Sequence, residues 1–285
     1  MFRTVCLGLW LCLVCPAAPV KVAFVGDSIT EGAGLGNPGT ESYPAKLQRL
    51  LGSGYTVGNY GVSGRTLLRK GDFPYWKELA YTRSRDFQPD IVFILLGTND
   101  SKPQNWRHST NFVTDLEDLI ASYRALPTNP RIVLGTPPPV FRTGAFDIRP
   151  LVVADEIAPL VRQVAAAGGG DLVDLHTRLL ARGEWFPDTV HPDSRGTSGM
   201  AAVIWETLTG QTSELPPLEV VASGATRSVL TWPAAAGGWV VQTTPALQGV
   251  SARWVVLSTP AYHDGQFIRL TNSPGAVRFY RMVRP

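Results

Sequence analysis

Lys21-Val22-Ala23-Phe24-Val25-Gly26-Asp27-Ser28-Ile29-Thr30 is the stretch on which the reading of the fold turns. Its four consecutive apolar residues leave no polar face, the pattern of a strand buried on both sides within a parallel sheet. The strand stops at Gly26 and delivers a serine just past its end. The same grammar recurs at Tyr55–Asn59, Ile91–Leu96, Arg131–Gly135 and Asp171–Leu175. Helical segments are expected between them: Pro44–Leu51 behind Ser42 as N-cap, Pro74–Arg85 opening on proline, Leu151–Ala165 and Thr197–Leu208. In Phe112–Leu126, the residues Phe112, Leu116, Leu119, Ile120 and Tyr123 share one face at helical spacing. Five strands alternating with helices predict an α/β domain, a doubly wound parallel five-stranded sheet whose reactive loops gather at the carboxyl ends of the strands.

After Leu208 the grammar changes. Gly210, Ser213, Pro216 and Pro217 mark a linker over 210–217. Residues 218–285 then show short strand-like runs at Ser228–Trp232, Trp239–Thr243, Trp254–Leu257, Phe267–Thr271 and Val277–Met282, separated by Pro, Gly and Asn. A small all-β, sandwich-like module is expected there. The layout reads as a signal peptide over 1–18, an α/β domain over 19–209, the linker, and the β module over 218–285.

The 285 residues are 44% hydrophobic, ample for a buried core, so wholesale disorder is excluded. The formal charge of +3 is not spread evenly. Residues 1–217 carry 20 Lys+Arg against 21 Asp+Glu, whereas residues 218–285 carry six arginines, no lysine and two acids. Scattered arginines are not a basic run, and no nucleic-acid partner is expected. The three cysteines, Cys6, Cys12 and Cys15, all lie in the first fifteen residues. Met1-Phe2-Arg3 followed by apolar Val5–Val14 and then Cys15-Pro16-Ala17-Ala18 reads as a cleavable signal peptide, hence a secreted or periplasmic protein. The run is shorter than the ~20 apolar residues a membrane span needs, and no span is expected. Valine and leucine before Cys15 and Cys12 argue against a lipoprotein anchor. Cleavage would leave a mature chain without cysteine.

The polar residues with chemistry fall at strand ends. Ser28 follows the first strand, although a loop serine is often only a turn residue or cap. Asn59-Tyr60-Gly61-Val62-Ser63-Gly64-Arg65 follows the second, where glycines let the backbone turn and point N–H groups at a ligand. Gly97-Thr98-Asn99-Asp100 follows the third, and Asn99 can donate its side-chain amide into a cleft. Of the four histidines, only His191 has a carboxylate three residues before it, Asp188. That carboxylate can hold Nδ1–H in a single turn and leave Nε2 free to take a proton from a hydroxyl. His108, His176 and His263 lack such a partner. Neither His-Glu-x-x-His nor an equivalent ligand spacing is present, so no metal is expected.

Together, Gly26-Asp27-Ser28, the Asn59…Ser63-Gly64 block, Gly97-Thr98-Asn99-Asp100 and Asp188-x-x-His191 resemble, in order, the four motif blocks of the SGNH/GDSL family of serine esterases. The likeness covers about residues 20–210. It implies a flavodoxin-like fold, Ser28 as nucleophile, His191 as general base, Asp188 as its orienting carboxylate, and an oxyanion hole of Ser28 N–H, Gly64 N–H and the Asn99 amide. Gly64 rather than Gly61 is implied because the family's glycine lies five residues after the block's asparagine. The Gly-x-Ser-x-Gly elbow of α/β-hydrolases is absent. Thr189 stands where the family often has glycine, which puts the stiffness of the Asp188–His191 turn in question.

Two other patterns are set aside. Gly34-Leu35-Gly36-Asn37-Pro38-Gly39 matches the letters of a dinucleotide fingerprint, but it starts well after the strand and contains proline, so it reads as a loop. Asn99-Asp100-Ser101 is an N-glycosylation sequon, and a glycan there would block the proposed hole. The protein is then made where that modification is absent, as in bacteria, or the site is unused.

The expected substrate is an O-acyl ester on carbohydrate, chiefly O-acetyl. Pro74-Tyr75-Trp76-Lys77-Glu78 and Asp100–Trp106 look like stretches of GDSL proteins classed as sialate or carbohydrate O-acetylesterases. Lys102, Gln104 and Trp106 follow the hole residue directly and suit an acetylated sugar, with core packing the alternative for Trp106. Phe141, closing Thr136-Pro137-Pro138-Pro139-Val140-Phe141 after the fourth strand, supplies either a pocket wall or a plain loop. The same machinery would also serve a lysophospholipase, arylesterase or thioesterase. Trp232, Trp239 and Trp254 could make the C-terminal module a carbohydrate binder, and a binding protein with an inactive esterase domain is the remaining alternative.

Overall fold

The computed structural model describes residues 18–143 and 145–210, and seven strands within 219–283. The chain divides into two compact units that meet at Gln211/Thr212. The signal-peptide reading lies outside the described residues.

In the first unit, β1 (Val20–Gly26), β2 (Tyr55–Gly61), β3 (Ile91–Leu95), β4 (Arg131–Gly135) and β5 (Asp171–Val173) form one sheet in the order β2-β1-β3-β4-β5. Every pairing is parallel, as the apolar runs predict. Successive residues of β1 and β3 feed two separate cores. Ala23, Val25, Val92 and Ile94 pack against the Phe112–Arg124 and Ala158–Val164 helices, where Leu116, Leu119 and Val161 are buried. Val22, Phe24, Ile91 and Phe93 pack against the Tyr43–Leu51 and Ser194–Thr209 helices through Tyr43, Leu47 and Met200. Both faces are therefore covered, and β3 is buried along its whole length. The strand order reverses between β1 and β3, and the crevice at such a switch point is where ligands of this architecture bind.

Three expected elements take a different form. Pro74–Arg85 is not one helix: a short turn at Tyr75–Lys77 is separated from the Leu79–Asp86 helix by extended Glu78. Tertiary bonds hold that turn, from Tyr75 OH to the Tyr60 carbonyl and from Trp76 Nε1 to the Leu67 carbonyl. The helix from Pro150 widens by one residue per turn over Val153–Ile157, beside Pro159, which has no N–H to offer the regular ladder. The fifth strand ends at Val173, because Asp174 caps a new helix, Leu175–Leu179, accepting the Thr177 N–H at 3.2 Å.

In the second unit, β6 (Glu219–Ala222), β7 (Ser228–Pro233), β10 (Tyr262–His263) and β11 (Phe267–Asn272) form an antiparallel sheet ordered β10-β11-β7-β6. A second antiparallel sheet is ordered β12-β8-β9, from β8 (Val240–Thr244), β9 (Val255–Val256) and β12 (Phe279–Val283). Trp232 sits in β7 opposite Ile268. Trp239 and Trp254 lie outside the described residues.

Candidate active site

Ser28 opens a four-residue helical turn, Ser28–Glu31, directly off β1. Gly26 is required there: a Cβ at that position would lie 2.0 Å from Thr30 Oγ1 and 2.8 Å from the Leu95 carbonyl. Asp27 caps the turn, accepting the Ile29 N–H at 3.0 Å. Ile29 is buried, and Thr30 Oγ1 shares a 2.7 Å hydrogen bond with Tyr43 OH inside the core. The serine is thus fixed from both sides and is 8% exposed.

His191 arrives from the far end of the unit. The Asp188 carboxylate folds its own turn, with Oδ1 accepting the N–H groups of Val190 at 2.9 Å and His191 at 2.7 Å. Its other oxygen, Oδ2, lies 2.6 Å from His191 Nδ1. Nε2 of the same ring lies 2.8 Å from Ser28 Oγ. Burial works to raise the Asp188 pKa, but the His191 N–H, the imidazole and the Val190 N–H outweigh it and hold the carboxyl below its usual range. An ionised carboxylate on Nδ1 fixes the tautomer in which Nε2 can accept a proton. Buried Val190, the bond from Phe141 N–H to the Thr189 carbonyl and the Asp193 cap of the Ser194–Thr209 helix clamp this turn. Thr189 carries a φ of 74°, a left-handed conformation that a β-branched residue adopts at a cost. Its Oγ1 is buried without a hydrogen-bond partner.

Across the crevice, Gly64 adopts φ 80° with open space where a side chain would stand. The Asn99 amide donates to the Arg65 carbonyl at 3.2 Å and faces Asp27 Oδ2 at 3.4 Å. Asn99 is 4% exposed, too buried to serve as a glycosylation acceptor in the folded chain. Its neighbour Asp100 points the other way and receives the N–H groups of Leu67 at 3.0 Å and Leu68 at 2.7 Å. Asp115 receives the Arg69 N–H, and Asn105 is bonded twice to Asp72. These side chains pin the loop that carries Gly64. Burial raises Asp27 to about 6 and Asp100 to about 7, against the bonds each accepts.

The sequence reading misses Asp100, Asn105 and Asp115 as supports. The signal available is weak: polar residues beside Asn99 or on the apolar side of a helix. It also misses Phe146, whose ring centroid lies 5.3 Å from that of His191. Among the substrate candidates, Trp106 is corrected. Its ring is 7% exposed, packs edge-on against Phe112 at 5.5 Å and donates its indole N–H to Glu156, so it offers no face to a sugar. Gln104 is exposed but bonded to Asp72, and Lys102 is half-buried at the start of the Pro103–Trp106 turn. Phe141 packs on Phe186 at 5.1 Å and supports the histidine turn through its backbone. Among the described residues, no group of three His, Cys, Asp or Glu side chains could hold a metal ion.

The profile of the GDSL-like lipase/acylhydrolase family matches residues 24–198, which span all of these groups. The chain belongs to the GDSL-like lipase/acylhydrolase family. An acetylxylan esterase from Xylanibacter ruminicola is 41% identical over 219 residues. That match takes in 70% of this chain but 45% of the relative, so the chain spans about half the length of the relative it matches. Two solved structures share this fold. A lipase/acylhydrolase from Enterococcus faecalis superposes with a TM-score of 0.54 at 23% identity, over 68% of this chain and 99% of the other. A carbohydrate acetylesterase family member from Sinorhizobium meliloti gives 0.53 at 24% identity, over 66% and 97%.

Proposed function

We propose that the protein is a secreted serine esterase that removes O-acetyl groups from carbohydrate. The observation that carries this is the hydrogen-bonded chain from Ser28 Oγ through His191 to Asp188. A serine hydroxyl attacks poorly until a base takes its proton, and Nε2 stands at hydrogen-bond distance to do so. Ser28 Oγ then bonds to the acetyl carbonyl carbon. The negative charge on the former carbonyl oxygen is met by the N–H groups of Ser28 and Gly64 and by the Asn99 amide, each such donor contributing ~2.7–4 kcal/mol. Collapse expels the sugar hydroxyl, protonated by His191, and leaves acetyl-Ser28. Water, deprotonated by the same histidine, adds to the acyl carbon; the bond to Ser28 Oγ breaks, His191 returns the proton to that oxygen, and acetate leaves. No cofactor enters.

The carbohydrate assignment rests on the acetylxylan esterase relative, and the preference is for acetylated xylan over O-acetylated sialic acid. Export rests on the reading of residues 1–18; no helix among the described residues is long and apolar enough to cross a membrane. The test is acetate release from acetylated xylan, from O-acetylated sialic acid and from p-nitrophenyl acetate by the protein and by Ser28→Ala. Turnover that disappears in the variant supports the reading. Folded protein that cleaves no short acyl ester overturns it in favour of a binding role.

A further inference from the structure

Phe146 is an exposed aromatic residue in contact with the triad, and the reading above gives it no role. Its side chain is 55% exposed, although its ring stands 5.3 Å from the His191 ring at an interplanar angle of 75°. It is not a loose loop tip. Phe146 and Asp147 both take left-handed backbone conformations, at φ 55° and 59°, which non-glycine residues hold only when their surroundings fix them. The fixing groups are present. Ile148 is buried in a small apolar cluster with Val153 and Val190, and Val190 immediately precedes His191. The next residue, Arg149, bonds through its N–H and its guanidinium to Ser101, within the turn that carries Asn99. The loop, the histidine turn and the asparagine turn are therefore tied together, with the phenyl ring roughly perpendicular to the imidazole beside it.

We propose that Phe146 is the platform for the sugar ring of the substrate, and so a specificity-determining residue on the alcohol side of the ester. The proposal rests on the esterase reading. The direction follows from the chemistry: His191 Nε2 must reach both Ser28 Oγ and the departing alcohol oxygen, so a ring packed on the imidazole borders the alcohol. The carbonyl oxygen points instead toward Gly64 and Asn99, the proposed oxyanion hole. A pyranose presents one C–H-rich face, and an aromatic ring exposed in a polar cleft is a suitable surface for it.

The experiment compares the protein with Phe146→Ala and Phe146→Trp on acetylated xylo-oligosaccharides and on p-nitrophenyl acetate and butyrate. Phe146→Ala should lose about three- to tenfold in kcat/KM on the oligosaccharide, mainly through KM, the range expected of one aromatic contact. Phe146→Trp should restore it. The acetate-to-butyrate ratio should stay the same in all three, because the acyl side is not touched. A changed acyl ratio with unchanged oligosaccharide KM overturns the proposal, as does an alanine variant equal to the parent. Melting midpoints of the three proteins separate a folding defect from lost binding, with the tryptophan variant carrying the test if alanine unfolds the loop. If the parent cleaves none of these esters, the esterase reading fails. The oligosaccharide's affinity for Ser28→Ala and for Ser28→Ala/Phe146→Ala then decides the platform directly: equal affinities overturn it, and weaker binding by the double variant supports it.

Discussion

Ser28 Oγ and His191 Nε2 are 2.8 Å apart although 163 residues of chain separate them. β1 delivers the first and the turn before the Ser194–Thr209 helix delivers the second. The local Asp188 pair holds the other ring nitrogen, the arrangement in which Nε2 can accept a proton.

Asp188→Asn keeps the side-chain shape but removes the charge and the acceptor pair that fixes the Nδ1–H tautomer. We expect kcat on p-nitrophenyl acetate to fall by ~10²–10⁴-fold with an unchanged far-ultraviolet circular dichroism spectrum. A loss under threefold would mean that the imidazole is oriented by something else.

In the proposed mechanism, Asn99→Ala removes one oxyanion donor. The expected loss is ~10²–10³-fold in kcat with little change in KM, since the donor acts on charge that develops only after binding. Steady-state kinetics decide it; a loss confined to KM would place Asn99 in ground-state binding instead.

Thr189→Gly should stabilise the protein. A left-handed φ costs a non-glycine residue about 1–2 kcal/mol. The unpartnered buried Oγ1 adds about 1–3 kcal/mol. Against these stands about 0.5–1 kcal/mol for the greater chain freedom of glycine. A net gain of about 1 kcal/mol or more should appear as a higher urea midpoint. A lower midpoint would show that the Thr189 side chain contributes packing that outweighs its strain.

Asp27→Asn should change how stability depends on pH. Burial raises the folded pKa of Asp27 from 3.8 to about 6. The folded state therefore binds this proton more tightly than the unfolded chain does, and stability falls as pH rises from about 4 to about 6. Asparagine carries no charge to bury, so the variant should gain on the parent through that window and hold its gain at neutral pH. Below the unfolded pKa both side chains are neutral and the pH-dependent part of the difference vanishes. Thermal midpoints of the two proteins between pH 3.5 and 8 provide the check; a difference independent of pH would refute the assignment. Activity of the variant should fall, because Asn99 loses a carboxylate that faces its amide.

Much of this site is legible before any coordinates exist. Ser28 and Asn99 fall just past nearly continuous apolar runs that mark buried parallel strands, and their match to the family's motif blocks, rather than position alone, singles them out. The Asp188–His191 pair, three residues apart, is a local feature closed by a single turn. Asp100 is less legible. Nothing in Asn99-Asp100 says that one side chain faces the crevice while the other turns inward to hold the Leu67 and Leu68 N–H groups. The bent ends of helices are also hidden, because Tyr75 and Trp76 donate their side-chain hydrogen bonds to carbonyls of residues well before them in the chain.

The sequence by itself therefore determined the strand–helix alternation, the order of the four polar blocks and the Asp188–His191 pairing, since each depends on periodicity or on neighbours within a few residues. Only the tertiary structure decided which aromatic rings meet the cleft. Trp106, seven residues after Asn99, is packed into the core against Phe112. Phe146, unmarked in the sequence, stands exposed beside His191. Burial and long-range hydrogen bonding are properties of how the sheet and its helices close on one another, and no spacing along the chain encodes them.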